Sequence, residues 1–259
     1  MRARPLEAVA FAEDLSALRA LAKRFATDGD SGNAELAVRM GEAYARKSLG
    51  ETHVESLAFR GALVQLFTEQ GKFATARGMA EKLLAQSTNQ LGDPHVDVQQ
   101  YKSILATLLE KQGDYAGART LQESALAIRR RILGDEHPDT LSSMNNLAVT
   151  FRSQGDLPGA RALQEQVLAI RRRVLGDEHP DTLGGMRNLI ATLWDANQQE
   201  EARDMAKSLY GVYRKVNGPQ HETTVTTGLR LLQMHGELGD QDAANLLIAE
   251  LASEKQARP

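Results

Sequence analysis

A nine-residue segment that recurs every 42 residues is the feature that most constrains how this chain can fold. Residues 133–141 and residues 175–183 both read LGDEHPDTL, and weaker copies begin at Leu49, Leu91 and Gly218. A fixed period in this range is typical of helical solenoids, because a single helix pair cannot bury its apolar face and must stack on its neighbours. The sequence therefore predicts an all-α solenoid.

Two positions keep the same residue in every copy of the repeat. One inward position of the first helix is always leucine: Leu21, Leu63, Leu105, Leu147, Leu189 and Leu231. One position of the second helix is always alanine: Ala34, Ala76, Ala118, Ala160, Ala202 and Ala244. A small residue lets the second helix lie close against the first, whereas a larger one would overpack the pair. The register predicts about six helix pairs, from a first helix starting near Leu6 to about residue 252.

The turn inside each pair carries glycine, or asparagine in one copy. These residues are Gly29, Gly71, Gly113, Gly155, Asn197 and Gly239. Glycine and asparagine best tolerate the left-handed conformation that ends a helix. Aspartate follows in four copies and is expected to cap the second helix: Asp30, Asp114, Asp156 and Asp240.

Composition excludes several classes of protein. The net charge of −3 does not suit a protein that tracks phosphates, so we expect no nucleic-acid partner. The chain has no cysteine, which excludes disulfides and cysteine metal sites. No apolar run approaches the roughly 18 residues of a membrane span, and the first residues lack the apolar core of a signal peptide. We expect a cytoplasmic protein, and because no linker interrupts the repeats, a single domain over residues 1–259.

The repeat resembles a known family most clearly between Gly113 and Ala196. Its unit, with the GD turn, the arginine run and the LGDEHPDTL segment, is similar to the tetratricopeptide repeat of the kinesin-light-chain type. Residues 144–148 read MNNLA and resemble the asparagine signature of that family. The resemblance implies an antiparallel helix pair per repeat, stacked into a right-handed superhelix. Its first helices would line a concave groove for a peptide or partner protein, without catalysis. Asn146 and Asn188 match the asparagine that typically holds the ligand backbone, whereas Ala62, Ile104 and Arg230 replace it elsewhere.

Helical spacing identifies the side chains that should face this groove. The candidate binding residues are Gln65, Ser103, Asn145, Asn146, Arg152, Arg187, Asn188, Trp194, Arg230 and Gln233. Three of them are arginines close to the single tryptophan, and arginine suits carboxylates whereas tryptophan is a frequent interface anchor. These residues predict a scaffold that binds a protein or an extended peptide with acidic residues. Two alternatives stay open: ordinary solvated helix faces, and a peptide receptor that signals by closing the superhelix.

An enzyme is the alternative from another class. Histidine recurs beside acidic residues at His53, His95, His137, His179 and His221. Each of these histidines lies where a helix is predicted to begin, and five equivalent copies favour capping residues over one active site. No phosphate loop or catalytic serine motif occurs. We therefore predict no catalytic residues, no metal site and no cofactor. The lone His235 is expected to pack in the last repeat, and an enzyme with its pocket in the groove remains the competing hypothesis.

Overall fold

Every regular element in the computed structural model is an α-helix over residues 15–256, the part of the chain that the structure describes. The bounds of these helices are α1 Leu15–Thr27, α2 Ser31–Leu49, α3 Val54–Glu69, α4 Phe73–Leu91, α5 Val96–Lys111, α6 Tyr115–Leu133, α7 Pro138–Ser153, α8 Leu157–Leu175, α9 Pro180–Asp195, α10 Gln199–Asn217, α11 Glu222–Glu237 and α12 Gln241–Gln256. They form six consecutive pairs, so the predicted all-α fold of helix pairs is confirmed. The expected start near Leu6 lies outside the described residues.

The chain divides into two compact units, Met1–Ile132 and Leu133–Pro259. In the first unit each helix from α1 to α4 packs on the next one, and in the second unit each helix from α7 to α11 does the same. First helices of neighbouring pairs also touch, as α3 touches α5 and α7 touches α9. This sequential packing is typical of a repeat solenoid. The single domain over residues 1–259 stays a prediction.

The turn inside each pair has the predicted chemistry. The five turn glycines have positive φ, and Asn197, which replaces glycine in the fifth pair, has φ 58°. The aspartate that follows caps the second helix: Asp156 Oδ1, for example, accepts a hydrogen bond of 3.0 Å from the backbone N–H of Gly159. The expected turns and caps are therefore confirmed.

The recurrent histidines cap the first helices. The Nδ1 atom of His137 accepts from the backbone N–H of Asp139 at 3.2 Å, and His179 accepts from Asp181 at 3.1 Å. His53, His95 and His221 make the same bond. Each ring satisfies a backbone donor that has no partner inside the helix, so the interpretation of these histidines as capping residues is confirmed.

The core follows the repeat register. The recurrent alanines of the second helices are buried, and Ala160 has no exposed surface. The leucines of the first helices pack beside them, and those from Leu63 to Leu231 are buried while Leu21 is half-buried. His235 is buried as well, with its Nδ1 atom 3.1 Å from Oδ2 of Asp240, in agreement with the expected packing role.

Candidate functional site

Helices α7, α9 and α11 of the second unit carry most of the predicted binding residues. We call Asn145, Asn146, Arg187, Asn188 and Arg230 the amide–arginine face. Asn145 and Asn188 are half-buried, whereas Asn146, Arg187 and Arg230 are exposed. All five lie one or two residues before the buried leucine of their helix, which turns them away from that core position.

The amides of this face are partly engaged with one another. Asn188 Nδ2 donates a hydrogen bond of 2.8 Å to Oδ1 of Asn145 and so joins α9 to α7. The side chain of Asn146 has no partner among the described residues. The sequence singled out Asn146 and Asn188 as a pair, but it is Asn145 that Asn188 contacts in the structure. One carboxamide on this face is therefore free, and two are paired.

The arginines of the face differ in what they contact. The guanidinium of Arg230 lies over the ring of Trp194, with Cζ 5.6 Å from the ring centre, and it donates to Oε1 of Gln233 at 2.9 Å. Arg187 makes no hydrogen bond or ion pair within the part of the chain that the structure describes. Stacking holds Arg230 in place while part of its guanidinium stays available.

Arg152 was predicted to join the other two arginines, but its guanidinium is already paired. Its Nε atom lies 2.5 Å from Oδ2 of Asp195, so this ion pair bridges α7 and α9. An acidic ligand would have to compete with Asp195 for Arg152. The prediction that Arg152 binds ligand is untested. Of the three predicted arginines, Arg187 and Arg230 have no carboxylate partner among the described residues.

A cavity of about 520 Å³ lies between α9, α10 and α11. Arg187 and Arg230 line it, and Ile190, Leu209 and Tyr213 give it an apolar wall. Threonines and one carboxylate at the start of α11 complete the lining: Glu222, Thr223, Thr226 and Thr227. The structure thus brings two predicted arginines to one apolar cavity, which the sequence analysis did not foresee.

The cavity follows from a change in side-chain volume along the repeats. One position of the first helix holds Phe59 and Tyr101 in the first unit but Gly185 and Thr227 in the second. At Gly185 the space is taken by the Arg171 side chain, since a Cβ there would be 3.6 Å from Arg171 Nη1. Tyr213 is the repeat equivalent of Arg171 and leaves room beside Thr227. The sequence signal was present, because these positions all follow the 42-residue register.

In the preceding repeat, the Arg171 side chain fills the space that corresponds to the cavity. Its Nη1 atom donates to the backbone carbonyl of Asp181 at 3.0 Å. Burial lowers the pKa of this guanidinium, while the charge of Asp181 acts in the opposite direction. The Arg171 side chain therefore joins the end of α8 to the start of α9.

Part of the chain matches the sequence model of a known repeat family. Residues 99–173 and residues 152–215 match the family model of the tetratricopeptide repeat. Residues 99–215 are therefore identified as tetratricopeptide repeats. No curated protein matches it significantly in sequence.

Solved structures with a similar fold agree with this match. A variant of the nearly identical TPR-like repeats of a kinesin-light-chain protein from Podosopora anserina is 26% identical, with a TM-score of 0.71 over 78% of this chain and 96% of that chain. BtubC (BKLC) from P. vanneervenii is 18% identical, with a TM-score of 0.69 over 94% of each chain. The apo form of RapI is 13% identical, with a TM-score of 0.70 over 93% of this chain and 84% of that chain. The last two comparisons support the fold alone.

The first unit carries the other two predicted residues. Gln65 is exposed and lines a cavity of about 360 Å³ together with Arg19 and Phe59. Ser103 is half-buried, donates to the backbone carbonyl of Gln99 at 3.0 Å and accepts from Arg129 at 3.2 Å. Their participation in one groove with the second unit stays a prediction.

The arrangement suits binding through hydrogen bonds, charge and an apolar cavity. Tetratricopeptide repeats are helical scaffolds that typically mediate protein–protein interaction. Among the described side chains, no group of three or more histidines and acids is arranged to hold a metal. No helix between residues 15 and 256 is long and apolar enough to cross a membrane.

Proposed function

We propose that the amide–arginine face binds an extended, acidic segment of a partner protein, as part of the concave groove expected of the repeat. The observation that carries this proposal is the cavity of about 520 Å³ with Arg187 and Arg230 in its lining. A cavity of this size lies within the roughly 300–1,000 Å³ of typical ligand sites. It combines an apolar wall with two cations, which suits an apolar side chain flanked by carboxylates.

The charge of the cavity supports an acidic ligand. Arg187 and Arg230 contribute two positive charges, whereas Glu222 contributes the single negative charge of the lining. Arg187 has no partner among the described residues, so a ligand carboxylate does not have to displace one. A planar guanidinium can bind a carboxylate through two parallel hydrogen bonds. Arg230, held over Trp194, is already positioned for such a contact.

The carboxamides support an extended backbone. Asn146 offers a free donor and a free acceptor, which match the N–H and the carbonyl of a peptide unit. Neighbouring helices pack roughly 8–10 Å apart and an extended peptide rises about 3.3 Å per residue. Equivalent groups on α7, α9 and α11 would therefore meet ligand residues about three positions apart.

A selection from random dodecapeptides displayed on phage tests the proposal without knowledge of the partner. Peptides selected on the immobilised chain should be enriched in aspartate and glutamate around an apolar residue. The double variant Arg187→Glu/Arg230→Glu should weaken their binding by on the order of tenfold, because each exposed ion pair contributes about 0.2–1 kcal/mol and the reversal adds repulsion. Added salt should weaken wild-type binding as well.

Lys207→Glu is the matched control. Lys207 is exposed on α10, has no partner among the described residues and does not line the cavity. Its reversal changes the net charge in the same direction, but it should leave the affinity nearly unchanged. Selected peptides without acidic enrichment, or peptides that bind the double variant and wild type equally well at all salt concentrations, would rule out this face as the site.

A further inference from the structure

Gln164 of α8 is a buried amide without a partner. Only 2% of the surface of Gln164 is exposed. Neither Nε2 nor Oε1 makes a hydrogen bond to any residue that the structure describes. Buried amides are normally paired, because an unpaired one loses its hydration without compensation. Both its donor and its acceptor are therefore available for a ligand.

The preceding repeat shows why Gln164 lacks a partner. There the equivalent residue, Gln122, donates from Nε2 to Oε1 of Glu110 at 2.9 Å. The residue equivalent to Glu110 in the next repeat is Arg152. An arginine cannot accept a hydrogen bond, and the Arg152 guanidinium is drawn to Asp195 of α9.

The repeat register also indicates which way Gln164 faces. Its equivalents in other repeats are Val38 and Ala206, and these two residues line the cavities of about 360 and 520 Å³. Gln164 on α8 therefore occupies the equivalent position, facing the space between α7 and α9. The Arg152–Asp195 ion pair bridges the same two helices.

We propose that Gln164 is a ligand-binding residue of the amide–arginine face, covered in the free protein by the Arg152–Asp195 ion pair. A carboxylate of the bound segment takes Arg152 from Asp195, and the uncovered amide pairs with a peptide unit of the same segment. This inference rests on the proposed function, because it needs an acidic, extended ligand. It adds a second contact region, one repeat before the cavity that Arg187 and Arg230 line.

The free protein provides a first test that needs no ligand. Gln164→Met has nearly the same length and shape but no unpaired polar atoms, so it should raise Tm by roughly 2–10 °C. Gln122→Met is the matched control in the first unit, where the amide is bonded, and it should lower Tm. An unchanged or lower Tm for Gln164→Met would show that the amide is already satisfied and would overturn the inference.

Binding provides the second test, with the dodecapeptides selected on the wild-type chain as probes. Gln164→Met should weaken their binding by roughly 3- to 30-fold although it stabilises the fold. Asp195→Asn, which releases Arg152, should strengthen binding. If both variants bind like wild type while Arg187→Glu/Arg230→Glu still weakens binding, the inference about Gln164 is wrong and the proposed function survives. If the arginine reversals are also without effect, the proposed function is wrong too.

Discussion

The same substitution should have opposite effects at two glycines of the first unit. Gly41 lies inside α2 and Gly78 lies inside α4, and neither has the positive φ that would make alanine strained. A Cβ at Gly41 would lie 2.5 Å from Cζ and 2.7 Å from Cδ1 of Phe59, whereas a Cβ at Gly78 would meet nothing within 4 Å. We expect Gly41→Ala to destabilise the protein and Gly78→Ala to stabilise it.

The expected changes in unfolding free energy are the sum of two terms, helix propensity and overpacking. Replacing glycine by alanine inside a helix stabilises by roughly 0.5–1 kcal/mol at either site, because the unfolded chain loses freedom. At Gly41 the carbon atoms would be about 1 Å closer than their usual separation of about 3.5–4.0 Å. Phe59 is only 2% exposed and has little room to move. Overpacking of this kind costs about 1–3 kcal/mol, so the overpacking cost should exceed the gain in helix propensity.

Urea denaturation followed by circular dichroism would measure both variants. The helix-propensity term is common to the two sites, so their difference in unfolding free energy reports the clash alone and should be about 1–3 kcal/mol. Phe59→Leu should cost less in the Gly41→Ala background than in wild type, since the two residues are in contact. Equal stabilities for Gly41→Ala and Gly78→Ala would refute the claim that the Phe59 ring packs on the α2 backbone.

Two further predictions concern the helix caps and the alkaline limit of stability. Changing His137 and His179 together to asparagine should leave the helix content and the binding of selected dodecapeptides unchanged, because asparagine also caps helices. Alanine at both sites should lower the unfolding free energy in urea by on the order of 1 kcal/mol per cap. Loss of binding by a folded asparagine variant would contradict the capping role. Burial, aided by the charge of Asp97, raises the pKa of Tyr101 from 10.0 to about 12. Because the folded state favours the neutral phenol, Tyr101 contributes to the unfolding free energy below about pH 10, and this contribution is lost as the pH rises towards about 12. Tyr101→Phe should therefore remove part of the alkaline loss of unfolding free energy. An identical pH profile of unfolding free energy for this variant and wild type would contradict the prediction.

The local features of the fold could be predicted because they depend on neighbours in the sequence. The left-handed residue at Asn197 and the cap at Asp156 are set within a few residues of the chain. The buried Ala160 is equally visible, because a small residue recurs wherever two helices of a pair must lie close together. Repetition strengthens each signal, since the same local choice appears in every copy.

The candidate site was predictable only in part. Of the residues that the register placed before the buried leucines of α7, α9 and α11, Asn146, Arg187 and Arg230 are exposed. The register did not indicate that Asn188 would donate to Asn145, or that Asp195 would occupy Arg152. These contacts join residues about one repeat apart in the chain, and they depend on side-chain reach rather than on helical spacing.

The sequence by itself determined the repeat length, the helix ends and the positions that must stay small, because capping and backbone conformation are local. The tertiary structure decided which polar groups are free and where the cavity lies. Among the described residues Arg187 has no partner, whereas Arg152 pairs with Asp195 on the next first helix. The cavity beside Thr227 exists because the volumes of side chains on three helices do not fill the space between them. The cavity depends on side chains from all three helices, so the pattern of a single helix does not predict it.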